Sequence, residues 1–259
     1  MQLKMVSSGN SEITYVTTYY NEPDLLEFVL ENFLTDFYSA LIIVDDASQI
    51  HPAEPIVRKY EDKLPVTLLR VKDDLGFNSH GARNLAMQHV QTEWAYMTDI
   101  DIHTDVGASY DLWKAVQSSQ LKQYFTFWRG HKQDFIGRCE EGYNDLCLRV
   151  SDFWESYGYD EEYTGIHYGD KMFLQRLNSY MVRTLLPNII IDKRMKRKTI
   201  SNAKVNITTY DNENNIMYHP IIKASELKKL NDFIGSRNEN KDTWATKSVV
   251  NFEWEKIIG

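Results

Sequence analysis

The acidic triplet Asp99-Ile100-Asp101, with His103 two residues further on, holds the side chains best suited to chemistry in this chain. Two carboxylates one residue apart can share a hard divalent cation, and such a cation commonly bridges the phosphates of a nucleotide. Surface loops are full of aspartates, so the position of the triplet decides its meaning. It closes an apolar run, Trp94-Ala95-Tyr96-Met97-Thr98, of strand length and strand composition. If the strand stops near Thr98, both carboxylates lie just past its C-terminal end, the edge where open α/β sheets bind ligands. His103 is either a third ligand or a polar loop residue.

The elements that must position this triplet are legible upstream. Ile13 to Thr18 is rich in β-branched and aromatic residues and reads as a strand. Asn21-Glu22-Pro23 opens a helix with proline in its favoured first turn, and Leu26, Val29, Leu30, Phe33 and Leu34 give that helix an inward face. Ala40 to Val44 is a fully apolar strand ending in Asp45-Asp46-Ala47-Ser48. A short helix around Ile56 to Tyr60 and a strand from Val66 to Val71 follow. Gly76 to Gly81 reads as a loop, after which Ala82, Leu85, Ala86 and Val90 stripe a third helix. Four strands alternating with three helices predict a mainly parallel α/β sheet with helices on both faces. Three strand ends are polar (Thr18-Tyr19-Tyr20-Asn21-Glu22, Asp45 to Ser48, and Asp99 to Asp101) and would converge on one edge as a nucleotide site.

The second half is less regular. Strands are expected at Gln123 to Arg129 and Leu146 to Val150, then an aromatic, acidic turn from Tyr157 to Tyr163. Tyr168-Gly169-Asp170 precedes a helix striped by Met172, Phe173, Leu174 and Leu177. Lys193, Arg194, Lys196, Arg197, Lys198 and Lys204 form a basic run, and Ser225 would cap a helix to about Phe233.

Composition sets the outer bounds. A chain of 259 residues, 42% hydrophobic and 13% aromatic, is globular and suits one domain. We expect a single domain over 1–259, with a donor-nucleotide half to about 105 and an acceptor and catalytic half from about 106. A net charge of −8 argues against a general nucleic-acid coat protein, since such affinity comes from phosphate neutralisation. Two cysteines, Cys139 and Cys147, are too few for a disulfide framework, which makes a reducing compartment the default. No apolar run approaches the roughly 20 residues of a membrane span, and the N-terminus lacks a signal-peptide pattern. A cytoplasmic protein is the expectation.

From about residue 12 to 180 the chain resembles family 2 glycosyltransferases of the GT-A fold. Thr18-Tyr19-Tyr20-Asn21-Glu22 is similar to the family's Thr/Ser-Tyr-Asn-Glu turn, and Val44-Asp45-Asp46-Ala47-Ser48 to its Val-Asp-Asp-x-Ser, where an aspartate receives the donor base. Gly81-Ala82-Arg83-Asn84 resembles the Ala-Arg-Asn segment before the metal motif, and Asp99-Ile100-Asp101 the Asp-x-Asp itself. Gly158-Tyr159-Asp160-Glu161 matches the acceptor-side Gly-Phe/Tyr-Asp-Glu. Asp170 falls on the aspartate that acts as base, with Gly169 where most relatives carry glutamate.

The resemblance implies an inverting enzyme that moves a sugar from a nucleotide sugar, most commonly a UDP-sugar, with Mn²⁺ or Mg²⁺ as cofactor. Asp99 and Asp101 would hold the metal, Asp101 directly, and a late histidine, here His219, could join them. Thr18, Tyr20, Glu22, Asp45, Asp46, Arg83 and Asp99 would seat the donor. Arg83 could equally fix local structure. The acceptor stays open: a glycan precursor, a protein, or a modified base in viral DNA. The basic run would suit an anionic one. Two other readings are a nucleotidyltransferase, for which the chain lacks a Gly-rich phosphate loop and a lysine after the first strand, and a nucleotide-sugar-binding protein without turnover.

Overall fold

The computed structural model describes residues 12–119, 122–131, 139–161, 169–192, 209–211, 216–218 and 249–259. The first half alternates as its hydrophobic pattern requires: β1 (Ile13–Tyr19), α1 (Pro23–Phe33), β2 (Ala40–Asp45), α2 (Glu54–Val57), β3 (Val66–Val71), α3 (Ser79–His89) and β4 (Trp94–Asp99). β1 lies between β2 and β4, β3 flanks β2, and all four run parallel. Successive strand residues face opposite sides. Tyr15, Tyr19, Leu41, Ile43, Trp94 and Tyr96 therefore pack beneath α1, while Val16, Ile42, Val44, Ala95 and Met97 pack with Ala82, Leu85 and Ala86 of α3. These are the two cores of a three-layer α/β/α fold.

After β4 the chain forms β5 (Ile102–His103), α4 (Val106–Ser118), β6 (Gln123–His131), β7 (Cys139–Arg149), α5 (Val150–Glu155), α6 (Gly169–Asn178) and β8 (Val182–Asp192). A separate ribbon pairs β9 (Thr209–Asp211) with β10 (Ile216–Tyr218), and β11 (Trp254–Ile258) follows. The main sheet is mixed, in the order β11-β3-β2-β1-β4-β7-β6-β8-β5, with β7 antiparallel to both neighbours and β11 antiparallel to β3.

Several elements depart from the sequence reading for identifiable reasons. α4 has no clear signal in the sequence because Gly107, Ser109 and Asp111 blur its period; Asp105 starts it by accepting the Ala108 N–H at 2.8 Å. Pro187 obscures β8, since it has no N–H to give a ladder; the register with β6 shifts there, from Thr126 opposite Leu185 to Trp128 opposite Ile189. α2 starts earlier and is shorter than expected. α3 begins at Ser79 rather than after Gly81. The expected helix at Ser225, the basic run 193–204 and His219 lie outside the described residues.

Candidate active site

The three polar strand ends do meet. Thr18 sits in register with Val44 on one side and Asp99 on the other, and Tyr19 is opposite Asp45. Just beyond β1, Asn21 takes a left-handed conformation (φ 52°), which asparagine tolerates better than most residues. Its side-chain oxygen accepts the N–H groups of Ile50 and His51 at 3.0 and 2.8 Å, tying the ends of β1 and β2 together. The Glu22 carbonyl then accepts the Leu26 N–H at 3.1 Å and starts α1. Tyr20 is half-buried, and its hydroxyl donates to Asp74 at 2.9 Å across this edge.

Asp45 and Asp46 divide the work of the second strand end. Asp45 accepts the Ser48 and Ala53 N–H groups, each at 2.8 Å, one on each carboxylate oxygen. It staples the turn, in which Ala47 is held at φ 57°, a strained conformation for a residue with a Cβ. The Asp46 N–H donates to Tyr19 O at 2.9 Å, and its Oδ2 accepts the Asn78 N–H at 2.9 Å. Its Oδ1 is buried with no hydrogen-bond partner among the described residues. Burial pushes the Asp46 carboxyl up to about 7, although the Asn78 bonds pull it down. A buried, unpartnered carboxylate oxygen of this kind can accept an N–H donor.

The third group centres on the first turns of α3. The Arg83 side chain, 2% exposed, donates Nη2 to Asp99 Oδ1 and Nη1 to Asp170 Oδ1, both at 2.5 Å. Asp99 and Asp170 themselves are 34% and 31% exposed. Beneath the guanidinium lies Tyr159, 5.2 Å from ring centroid to Arg83 Cζ, stacked in turn on Phe173 and His80. Burial raises the Asp170 carboxyl, but the positive charge and hydrogen bond of Arg83 outweigh it, holding Asp170 below the usual carboxylate range. Burial pushes His80 the other way, down to about 4, so it is neutral.

Asn84, next in sequence, clamps the Gly158-Tyr159-Asp160-Glu161 turn. Its Nδ2 donates to Tyr159 O and Glu161 Oε1 at 2.9 and 2.8 Å, and its Oδ1 accepts the Tyr159 N–H at 2.9 Å. Gly158 is required there, because at φ +62° a Cβ would meet Asn84 Oδ1 at 2.8 Å.

Asparagine and aspartate in mid-strand β7 complete the site, and sequence reading misses both. Asn144 Nδ2 donates to Asp99 Oδ2, and Asn144 Oδ1 accepts from Arg129. Arg129 also pairs at 2.6 Å with the fully buried Asp145, which accepts the Thr98 hydroxyl at 2.7 Å. The one signal in the sequence is a pair of polar residues before the apolar Leu146-Cys147-Leu148.

Both Asp99 oxygens are thus engaged, while the Asp101 side chain, two residues on in the turn, is buried. His103 is buried edge-on against Phe28, ring centroids 5.0 Å apart. Among the described residues no three His, Cys, Asp or Glu side chains gather as a metal cluster. A Mg²⁺-type ion needs no such cage: one or two carboxylates hold it while diphosphate oxygens complete its shell. With both Asp99 oxygens on Arg83 and Asn144, a carboxylate oxygen of Asp101 would be the pair's donor to that kind of ion.

The sequence model for Glycosyl transferase family 2 matches residues 14–186. This chain belongs to that family. It is 31% identical over 93 residues to Hyaluronan synthase of Pasteurella multocida, across 35% of this chain and 9% of that protein. The structure of S. aureus TarS 1-349 in complex with UDP-GlcNAc superposes with TM-score 0.62 at 13% identity, covering 91% of this chain and 76% of that one. Mannosyltransferase PcManGT from Pyrobaculum calidifontis, in complex with GDP-Man and Mn²⁺, gives TM-score 0.56 at 18% identity, covering 73% and 59%. The chain spans about a tenth of the hyaluronan synthase and 36% of a longer TarS structure. At such identities the structural likeness establishes the GT-A fold. No helix among the described residues is long and apolar enough to cross a membrane.

Proposed function

We propose that this family 2 protein is a metal-dependent, inverting glycosyltransferase, a single domain that moves a sugar from a nucleotide sugar to an acceptor hydroxyl. The observation that carries the reading is the meeting of Asp99, at the end of β4, with Asp170, at the start of α6, on one guanidinium. That contact supports a role for Asp170 as a carboxylate base beside the Asp-x-Asp pair.

In this reading the donor base places an N–H on Asp46 Oδ1, with Tyr20 and Thr18 along its flank and Glu22 at the rim. Asp101, with His219 as a further candidate ligand, would hold the divalent cation, which supplies neutralisation of the diphosphate leaving group. Asp170 faces the other side of the transferred sugar. Ionised at neutral pH, it takes the proton of the acceptor hydroxyl as the new C–O bond forms, since a carboxylate is too weak a base to deprotonate a free alcohol beforehand. Attack opposite the leaving group inverts the anomeric carbon. UDP as the base-bearing half is supported by the TarS complex with UDP-GlcNAc, and Mn²⁺ by the mannosyltransferase complex. We place the activity in the cytoplasm, in keeping with the buried free thiol of Cys147. The acceptor is a glycan or a modified DNA base, and the basic residues from Lys193 to Lys204 favour an anionic one.

A thermal-shift screen of nucleotide sugars with and without Mn²⁺ tests the reading. A nucleotide sugar at 100 times its Kd stabilises by about 2.7 kcal/mol, and a UDP-sugar should do so only with Mn²⁺. Absence of any shift across UDP-, GDP- and other nucleotide sugars would overturn it. Binding that requires Mn²⁺ but yields no nucleoside diphosphate would leave a sugar-nucleotide sensor in place of an enzyme.

A further inference from the structure

We propose that Arg83 is a positioning residue whose guanidinium fork fixes the Asp170 carboxylate relative to the Asp-x-Asp pair. The inference rests on the reading of Asp170 as the base. A guanidinium is planar, carries its donors in a rigid fork and is not deprotonated in proteins. With Nη1 on Asp170 and Nη2 on Asp99, both at 2.5 Å, the two carboxylates are set by one rigid group rather than by two flexible ones. The fork is itself immobilised. It lies over Tyr159, which packs on Phe173 of α6 at 4.4 Å between centroids and on His80 of α3 at 5.1 Å. From the far side, Asp99 is held by Asn144, Asn144 by Arg129, and Arg129 by buried Asp145.

The burial pattern separates this role from an ordinary structural ion pair. The cation is 2% exposed while its carboxylates are 34% and 31% exposed, so the group meets solvent through the carboxylates, with the cation buried behind them. Without Arg83, Asp99 and Asp170 would repel each other and turn apart. With Oδ1 on the arginine, Oδ2 of Asp170 is the oxygen that receives the acceptor proton. The charged and titratable groups facing Asp170 are Arg83 and His80 from α3 and Tyr159 from the turn before α6, with Asp99 of β4 sharing the arginine. An arginine at a donor edge can also bind phosphate, yet here both outer nitrogens are turned onto carboxylates.

The test uses Arg83→Lys and Asp99→Asn, with UDP-sugar hydrolysis at saturating Mn²⁺ as the readout of turnover. A lysine keeps the charge and loses the fork. Arg83→Lys should lower kcat by about 10²-fold, the scale of an ångström of misplacement, while donor affinity stays within about threefold of wild type. The acid limb of the pH–kcat profile should move to higher pH in Arg83→Lys. It should move to lower pH in Asp99→Asn, where the arginine's charge falls on Asp170 alone. In an Asp170→Asn background, Arg83→Lys should cost nothing further. Donor affinity lost with kcat intact, or an Arg83→Lys penalty undiminished in that background, would overturn the proposal. Should Arg83→Lys fail to fold, the Asp99→Asn limb decides: no downward movement refutes the shared fork. If Asp170→Asn alone leaves turnover untouched, it is the base reading that fails.

Discussion

Changing Asp46 to asparagine removes one negative charge and almost no volume, and its consequences for binding and for stability have opposite signs. In the protein without ligand, Oδ2 accepts the Asn78 N–H and Oδ1 is buried without a partner among the described residues. An asparagine must spend its single oxygen on that Asn78 N–H, which turns its amide NH₂ toward the donor base. A base N–H would then meet another donor. A hydrogen bond to a charged group contributes about 1.5–3 kcal/mol, so Kd for UDP should weaken by roughly 10- to 150-fold at about 1.4 kcal/mol per tenfold. Stability should not fall with it. Burial holds the Asp46 carboxyl near 7, so at pH 8 the folded protein carries an ionised group it disfavours, and a neutral amide relieves that cost. The measurements are calorimetric titration of UDP with Mn²⁺ at pH 8 and a thermal melt without ligand. Undiminished UDP affinity would refute the reasoning. So would an affinity loss matched by a collapse in melting temperature, since the residue would then act only through the fold.

Three further outcomes follow from the same geometry. Asp101→Ala should abolish the Mn²⁺-dependent part of UDP binding, measured by titrating UDP with and without Mn²⁺; metal dependence that survives would remove this carboxylate from the ion. Asp170→Asn should keep donor affinity near wild type while turnover falls by roughly 10²-fold or more, the scale of a lost general base; weaker binding with normal turnover would put Asp170 on the donor side. Burial lifts both Asp36 and Asp46 from 3.8 to about 7, so the folded state holds these protons more tightly than the unfolded state. Stability from both groups is therefore present near pH 4 and lost as pH rises to about 7. The urea midpoint of the ligand-free protein should drop across that range, and the drop should shrink in Asp36→Asn and Asp46→Asn; unchanged slopes would contradict the assignment.

The first half of the chain is legible in the sequence because its signals are local. β1 to β4 are short, largely apolar runs, three of them read as ending in polar residues, and parallel pairing follows from the intervening helices. The same runs put Thr18, Asp45, Asp46 and Asp99 on one edge by their order and polarity alone. What stays hidden depends on contacts distant in sequence. That Asp45 staples its own turn while Asp46 keeps an open acceptor is a matter of which N–H groups arrive, and nothing in two adjacent aspartates distinguishes them. Arg83 can be read as lying near the donor edge, but its fork needs Asp170, which arrives through α6. The partners of Asn84 and Asn144 are not legible either, since each is a single amide whose contacts lie in other elements. β11 is equally invisible, since its place beside β3 is set by pairing and not by its own pattern.

Whether this site transfers a sugar with inversion is read from the anomeric signal in proton NMR. Purified protein, Mn²⁺ and the UDP-sugar selected by thermal shift should consume an α-linked donor and release UDP. The first product signal should be of β configuration, with no turnover without metal and roughly 10²-fold less in Asp170→Asn. A product that keeps the donor's configuration, or consumption indifferent to both Mn²⁺ and Asp170, would rule out metal-dependent inversion with Asp170 as the base.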